Sequence, residues 1–212
     1  MGAASPSASA APRRAYWLKT LHQWHWISSA LSLVGLLLFT VTGFTLNHAS
    51  QIEAKPQVTK KAAQVPPALR PLVTAKPADD KQPLPPALAA WAEQVLAIEV
   101  AGRAAEWSPE EIYLPLPRPG GDAWLRIDRV EGSLEYERTD RGWISYLNDL
   151  HKGRHTGSAW SWFIDLFAAS CLVFSVTGLF ILKMHAAKRP STWPVVAGGL
   201  VLPLLLAILF IH

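Results

Sequence analysis

Histidines stand at both ends of two apolar segments that close in nearly the same residues. The first segment follows Leu21-His22-Gln23-Trp24-His25, closes in Phe39-Thr40-Val41-Thr42-Gly43-Phe44 and is followed by His48. The second follows Leu150-His151 and His155, closes in Phe174-Ser175-Val176-Thr177-Gly178-Leu179 and is followed by His185. Consecutive spanning helices run in opposite directions, so the repeat predicts a group of histidines at each membrane face. Imidazoles that face one another from neighbouring helices are what axial coordination of a haem iron requires.

At the first face, the repeat brings His22 and His25 near His185. His22 and His25 are three residues apart and lie on nearly the same side of a helix. Depth in the membrane favours His25 as the partner of His185, whereas the Leu-His repeat favours His22. Both alternatives stay open, and the histidine that does not coordinate iron could hydrogen-bond a haem propionate.

At the second face, the repeat brings His48 near His151 and His155. The Leu-His motif favours His151 as the partner of His48, and His155, one turn closer to the membrane, is the alternative. The predicted axial ligands of the haem iron are therefore His25 with His185 and His48 with His151. All six histidines of the two faces are candidate cofactor-binding residues.

The two Thr-Gly pairs are the second repeated feature. Gly43 and Gly178 allow a backbone to approach a neighbouring helix or a planar ring closely, and the preceding threonines can bond back to their own helix. Plain helix packing and a haem-binding surface both fit this pattern. We therefore include Gly43 and Gly178 among the candidate cofactor-binding residues.

Three apolar runs are each long enough to cross a bilayer, which takes about 20 residues. They extend from Trp26 to Leu46, from Trp160 to Leu182 and from Trp193 to Ile211. The first follows basic residues but is longer than the core of a signal peptide, so we interpret it as an uncleaved anchor. Basic residues also crowd the loop between the second and third runs. By the positive-inside rule the N-terminus and this loop are cytoplasmic, and residues 49–159 and the C-terminus are periplasmic.

The pattern predicts a mainly α membrane protein in which a small α+β domain lies between the first two of three spans. Residues 1–15 are predicted to be a disordered cytoplasmic tail, 17–48 the first span and 49–83 a Pro-rich linker. Residues 84–150 are predicted to be the periplasmic domain, and 151–185 and 193–211 the two further spans. Eight prolines between residues 55 and 86 favour an extended linker.

Alternation and turn residues predict the elements of the domain. A helix is expected from Leu84 to Val100, followed by strands at 112–114, 123–128 and 134–137 and a helix from Gly142 to His151. The first strand is expected at a sheet edge, because prolines follow it directly.

These motifs resemble PepSY-associated transmembrane proteins over roughly residues 17–185. The resemblance rests on the two Leu-His and Thr-Gly patterns and on Ile127-Asp128-Arg129-Val130-Glu131-Gly132-Ser133-Leu134, which is similar to the strand-turn-strand of a PepSY domain. Larger members of that family have four or more spans, bind b-type haem and include inner-membrane reductases of ferric siderophores, and others are linked to flavin domains. This chain has a third span without the motif and no flavin or nicotinamide signature, which favours an electron-transfer subunit over a self-contained reductase.

The resulting hypothesis is a multi-pass protein of the bacterial inner membrane that binds one or two b-type haems. It would pass electrons to a periplasmic acceptor, a ferric siderophore or other ferric chelate, or a flavoprotein partner. Association with further copies of the chain is left open. Two alternatives are a non-enzymatic PepSY scaffold that binds a partner or restrains a protease, and a subunit that handles Cu or Zn.

Other functions are excluded by motif and charge. The single cysteine, Cys171, rules out covalent c-type haem attachment, since no Cys-x-x-Cys-His occurs. No hydrolase or phosphate-loop signature is present. The basic residues stand where topology explains them, so we expect no nucleic-acid partner.

Overall fold

The computed structural model describes residues 10–52 and 55–211. Its helices are α1 (Ala10–Asn47), α2 (Arg70–Thr74), α3 (Pro86–Leu96), α4 (Gly142–Lys152), α5 (Ser158–His185) and α6 (Thr192–Phe210). Its strands are β1 (Gln57–Gln64), β2 (Lys81–Pro83), β3 (Ala104–Trp107), β4 (Glu111–Pro115), β5 (Gly121–Asp128) and β6 (Ser133–Asp140). The order of a long helix, a sheet domain and two long helices agrees with the predicted order.

The described chain forms two compact units. The helix unit consists of residues 10–38 and 162–211, and the sheet unit consists of residues 39–161. The predicted disordered tail falls partly outside the described residues, at 1–9, whereas residues 10–15 belong to α1.

Three helical segments in the described chain are long and apolar enough to span a membrane, Arg13–Asn47, Ser158–Lys188 and Thr192–Phe210. Within the helix unit, small and polar residues line the contact between α1 and α5. The Ser170 hydroxyl donates to the Ser28 carbonyl at 3.2 Å, and Gly35 lies directly against the ring of Phe167. Small residues at such contacts let two spanning helices approach closely where lipid gives no hydrophobic drive.

The sheet is antiparallel throughout, in the order β1-β6-β5-β4-β3-β2. Buried and partly exposed residues alternate along β4 and β5, so one face of the sheet is covered and the other is open. Leucines and isoleucines from the covered face pack with Leu88 and Leu96 of α3. This is the α+β core that the alternation in the sequence indicates.

Residues 57–83, predicted as part of an extended linker, instead contribute two strands and α2. β1 pairs with β6 over its full length, from Gln57 opposite Asp140 to Gln64 opposite Ser133. Apart from Pro77, which lies in the loop between α2 and β2, the prolines lie at element ends, where their missing N–H groups cost no hydrogen bond, as at Pro71 in the first turn of α2.

Arg129 fastens this segment to the sheet. Its guanidinium donates to the carbonyl oxygens of Val73, Thr74 and Ala75 and, on the other side, to that of Ser108. It also lies 5.8 Å from the centre of the Trp107 ring. One side chain therefore satisfies four carbonyls that have no strand partner, which accounts for an arginine directly after β5.

The strand predicted at residues 112–114 is internal, and the expected edge position is wrong. β4 pairs with β5 along its length and with β3 on its other side. The β3 pairing reaches only Ile112 and Tyr113. Pro115 lies beyond it, so the proline interrupts no bond to β3.

Glu93 closes the end of α3. Its carboxylate accepts hydrogen bonds from the backbone N–H groups of Ala101 and Val100, both at 2.8 Å. These two donors lower the pKa of Glu93 below its ordinary value.

Candidate functional site

His25 sits against the Thr-Gly motif of α5 in the helix unit. Its ring stacks on that of Phe174, with 4.7 Å between centres and 18° between planes. Its Nδ1 lies 3.1 Å from the Thr177 hydroxyl and 3.2 Å from the Phe174 carbonyl. A Cβ on Gly178 would lie 3.2 Å from the imidazole Cε1, so the glycine makes room for the ring.

His151 sits against the Thr-Gly motif of α1 in the sheet unit. Its ring centre is 4.9 Å from that of Phe39, and its Nδ1 is 2.7 Å from the Thr42 hydroxyl. A Cβ on Gly43 would lie 3.5 Å from the imidazole Cε1, an ordinary contact distance.

The two sites are built alike: a Phe-x-x-Thr-Gly segment of one long helix receives the histidine that precedes the other Phe-x-x-Thr-Gly segment in the sequence. We call each a histidine cradle, the first formed by Phe174, Thr177 and Gly178 and the second by Phe39, Thr42 and Gly43. Aligning the Leu-His pairs makes His22 the counterpart of His151, but the contacts make His25 the counterpart. Sequence reasoning left open what the glycines face, and each of them faces an imidazole.

The first cradle determines which ring nitrogen of His25 donates. The Thr177 hydroxyl donates its single hydrogen to the Val173 carbonyl at 2.6 Å, and the Phe174 carbonyl beside Nδ1 can only accept, so Nδ1–H of His25 donates. In the neutral imidazole, Nε2 then keeps the lone pair that binds a metal. The contact between the Thr42 hydroxyl and His151 Nδ1 fits either direction.

His22 and His185 come together at one end of the helix unit. Their ring centres are 6.3 Å apart and their planes are nearly perpendicular, at 89°. Each Nδ1 lies 2.8 Å from the carbonyl four residues earlier in its own helix, that of Leu18 or Ile181. Because a carbonyl can only accept, both Nδ1 atoms donate; in a neutral imidazole the Nε2 atom then carries the lone pair.

The histidines that lie together in the structure therefore differ from the expected ligand pairs. The predicted alternative of His22 with His185 is the juxtaposed pair, whereas His25 contacts Phe174, Thr177 and Gly178. This distinction depends on which residues meet across two helices, and spacing in the sequence could not supply it.

The predicted pair of His48 and His151 is not juxtaposed in the described chain. His48 donates from Nδ1 to the Phe44 carbonyl of its own helix at 2.9 Å and packs on the Phe44 ring, whereas His151 turns to Thr42 and Phe39. His155 is exposed, with a positive φ of 59°, in the turn between α4 and α5.

Sequence reasoning missed the residues that hold α4, the helix that carries His151. The buried Asp149 carboxylate accepts the backbone N–H of Gly120 at 2.9 Å, and Gly120 packs against Tyr146. Asn148 Oδ1 accepts the hydroxyl of Thr45 at 2.9 Å. The Pro119-Gly120-Gly121 run marks a turn, but nothing in the sequence indicates that this turn meets α4.

Among the described residues, no group of three or more His, Cys, Asp or Glu side chains could hold a metal ion. A zinc or copper site made of protein ligands alone takes three or four such groups. A bis-histidine iron needs only two protein ligands.

Residues 16–212 match the model of the PepSY_TM-like family, and the chain belongs to this family. It is a membrane protein by the length and composition of its three helices. No curated protein and no solved structure matches the chain.

Proposed function

We propose that the chain is a membrane b-type haem protein in which His22 and His185 would hold the iron. The observation that carries the proposal is that these two rings, which come from two different helices, lie 6.3 Å apart between centres. Two imidazoles brought together from neighbouring helices are what a bis-histidine haem site would use.

The hydrogen bonds of these two histidines support the same role. A ligating imidazole usually donates its second N–H to a carbonyl or carboxylate, which orients the ring and makes the coordinating nitrogen more basic. His22 and His185 both do this through helix carbonyls. The haem would supply one-electron oxidation and reduction, and the chain would set the potential through these ligands and their hydrogen bonds.

His25 has a positioning role in this proposal. It lies one turn along α1 from His22, and its Nδ1–H is committed to the α5 cradle. The cradle fixes the rotation of α1 against α5 one turn from the ligands. It thereby maintains the separation between the His22 and His185 rings.

The proposed setting is a bacterial inner membrane, with the His22–His185 end in the cytoplasm. Lys183 lies in the last turn of α5, and Lys188 and Arg189 follow that helix. Arg13, Arg14 and Lys19 precede the apolar part of α1, and the two basic groups support this orientation. Electrons would then pass outward to a periplasmic acceptor, a ferric chelate or a flavoprotein partner. A second haem, at the periplasmic end, would draw on His151 and His48, and we expect it to be the more weakly held because these two side chains have other partners and are not juxtaposed.

The test is the absorption spectrum of the full chain, purified in detergent from haem-replete cells, oxidised and after dithionite. We expect a Soret band with sharp α and β bands, and about one haem per chain by pyridine haemochrome assay. His22→Ala and His185→Ala should each abolish the low-spin spectrum. His155→Ala is the matched control, because that histidine is exposed in a turn, and it should leave the spectrum unchanged.

The proposal fails if the haem-replete protein shows no Soret band, or if both ligand variants keep the low-spin spectrum. Two haems per chain, one lost in His151→Ala, would add the second site. If the protein holds no haem, the alternative function, a membrane-anchored PepSY scaffold that binds a partner, is favoured.

A further inference from the structure

Helix α4 carries three large apolar side chains that face away from the protein. Trp143 is 78% exposed, Ile144 41% and Leu147 40%. Residues at i, i+1 and i+4 share one side of a helix, so the three form a single face, which we call the α4 apolar face. The other sides of α4 are covered, since Asn148 and Asp149 are buried.

The contacts of α4 place it next to the last turns of a spanning segment. Thr45 and Thr42, which bond to Asn148 and His151, both belong to the membrane-spanning segment Arg13–Asn47. A helix anchored to the last turns of a span lies at the level of the lipid headgroups. The α4 apolar face is therefore continuous with the bilayer surface and does not belong to the sheet core.

A groove of about 570 Å³ runs between α4 and the chain that leaves α1. Ile52, Trp143 and Ile144 form its apolar part, and Lys55 and Arg141 bring two positive charges to it. Arg141 also pairs with the Asp122 carboxylate. The combination of apolar side chains and cations at the membrane surface is suited to a lipid with a negatively charged headgroup.

We propose that this groove binds the headgroup of an anionic phospholipid, with the α4 apolar face lying in the headgroup layer. Trp143 supplies the amphipathic ring that favours the membrane interface, and Ile144 and Leu147 enter the upper acyl region. Lys55 and Arg141 meet the lipid phosphate. The inference is independent of haem binding and stands if the protein proves to be a scaffold.

The first experiment measures depth in the membrane. Spin labels are placed by Ile144→Cys and Leu147→Cys in the full chain, with Cys171→Ala removing the native thiol, and the protein is reconstituted in nanodiscs. The control is Val130→Cys, since Val130 is 76% exposed in the turn between β5 and β6. We expect the α4 labels to respond more to oxygen than to a water-soluble nickel relaxant, and the Val130 label to show the reverse.

The second experiment measures retention of phosphatidylglycerol, using native mass spectrometry of protein released from mixed nanodiscs. Removing one surface cation should lower the affinity about fivefold. Lys55→Gln should show this loss, whereas Lys76→Gln, the matched change at another exposed lysine, should retain lipid as the parent chain does.

Two results would overturn the proposal. If the Ile144 and Leu147 labels are as open to the nickel relaxant as the Val130 label, the α4 apolar face lies outside the bilayer and is left for a protein partner. If Lys55→Gln retains as much phosphatidylglycerol as Lys76→Gln, the groove does not select an anionic headgroup.

Discussion

Replacing Gly120 with alanine should detach α4 from the sheet. Gly120 is buried, has a φ of +75° and donates its N–H to the Asp149 carboxylate. An added Cβ would lie 2.8 Å from the Cβ of Tyr146, 2.9 Å from its Cα and 3.1 Å from its backbone nitrogen. Because two of these atoms belong to the backbone of α4, no side-chain rotation relieves the contact.

The expected loss combines three effects. A left-handed backbone costs an alanine about 1–2 kcal/mol. Overpacking against a fixed backbone adds about 1–3 kcal/mol. Moving α4 away also leaves the Asp149 carboxylate without its backbone donor, at about 1–3 kcal/mol. When the chain relaxes to relieve the overpacking, it weakens this hydrogen bond, so the three effects do not add fully. We expect Gly120→Ala to lower the free energy of unfolding by about 3–5 kcal/mol.

Gly102→Ala is the matched control. Gly102 has a similar φ, +71°, but an added Cβ there would meet nothing within 4 Å. Its loss should be limited to backbone strain of about 1 kcal/mol, so the two variants should differ by about 2–4 kcal/mol.

The assay is pulse proteolysis of the detergent-solubilised full chain across a urea series, which reports the folded fraction of the sheet unit. Equal losses in the Gly120 and Gly102 variants, within about 0.5 kcal/mol, would refute the contact between the Gly120 turn and α4.

Three further changes test other parts of the structure. Arg129→Lys should destabilise the sheet unit by about 2 kcal/mol in the same assay, because a lysine cannot serve four carbonyls, and an unchanged urea midpoint would contradict this. Because the pKa of Glu93 is lowered in the folded state, its carboxylate stabilises the fold above the ordinary glutamate pKa of 4.5, and this contribution is lost as the pH falls through the folded-state pKa. Glu93→Gln should flatten that part of the curve of stability against pH. Parallel curves for the variant and the parent chain would argue against the capping role. Gly43→Ala should stabilise the chain by about 0.5–1 kcal/mol through helix propensity, whereas Gly178→Ala should lose this gain because His25 must shift from its partners; identical thermal midpoints would remove the distinction between the cradles.

The apolar spans could be predicted from the sequence, because they depend on residue type and short spacing. A run of about 20 uncharged residues has few alternatives to a spanning helix. The strands at 123–128 and 134–137 were also predictable, since their alternation is local and a Gly-containing turn joins them.

The role of residues 57–83 was not predictable from local pattern. β1 is largely exposed, and its partner strand lies more than 60 residues further along the chain, so neither burial nor a hairpin turn marks it. The same reason applies to the histidines: the pairing of His22 with His185 and of His25 with Thr177 depends on the rotation of one helix against another. Spacing along one helix does not fix that rotation.

The two histidine cradles also constrain the order of assembly during synthesis. The carbonyl that His25 contacts lies 149 residues later in the chain, and the imidazole that Thr42 contacts lies 109 residues later. At a ribosomal rate of about 5–20 residues per second, α1 exists for several seconds or longer before either partner is made. During that interval the threonines, glycines and histidines of α1 have not yet met their contacts on α4 and α5. The insertion machinery or a chaperone must therefore accommodate these polar residues of α1 before the contacts form. The second cradle can close once α4 has been synthesised, whereas the first cradle also needs the Thr-Gly motif of α5.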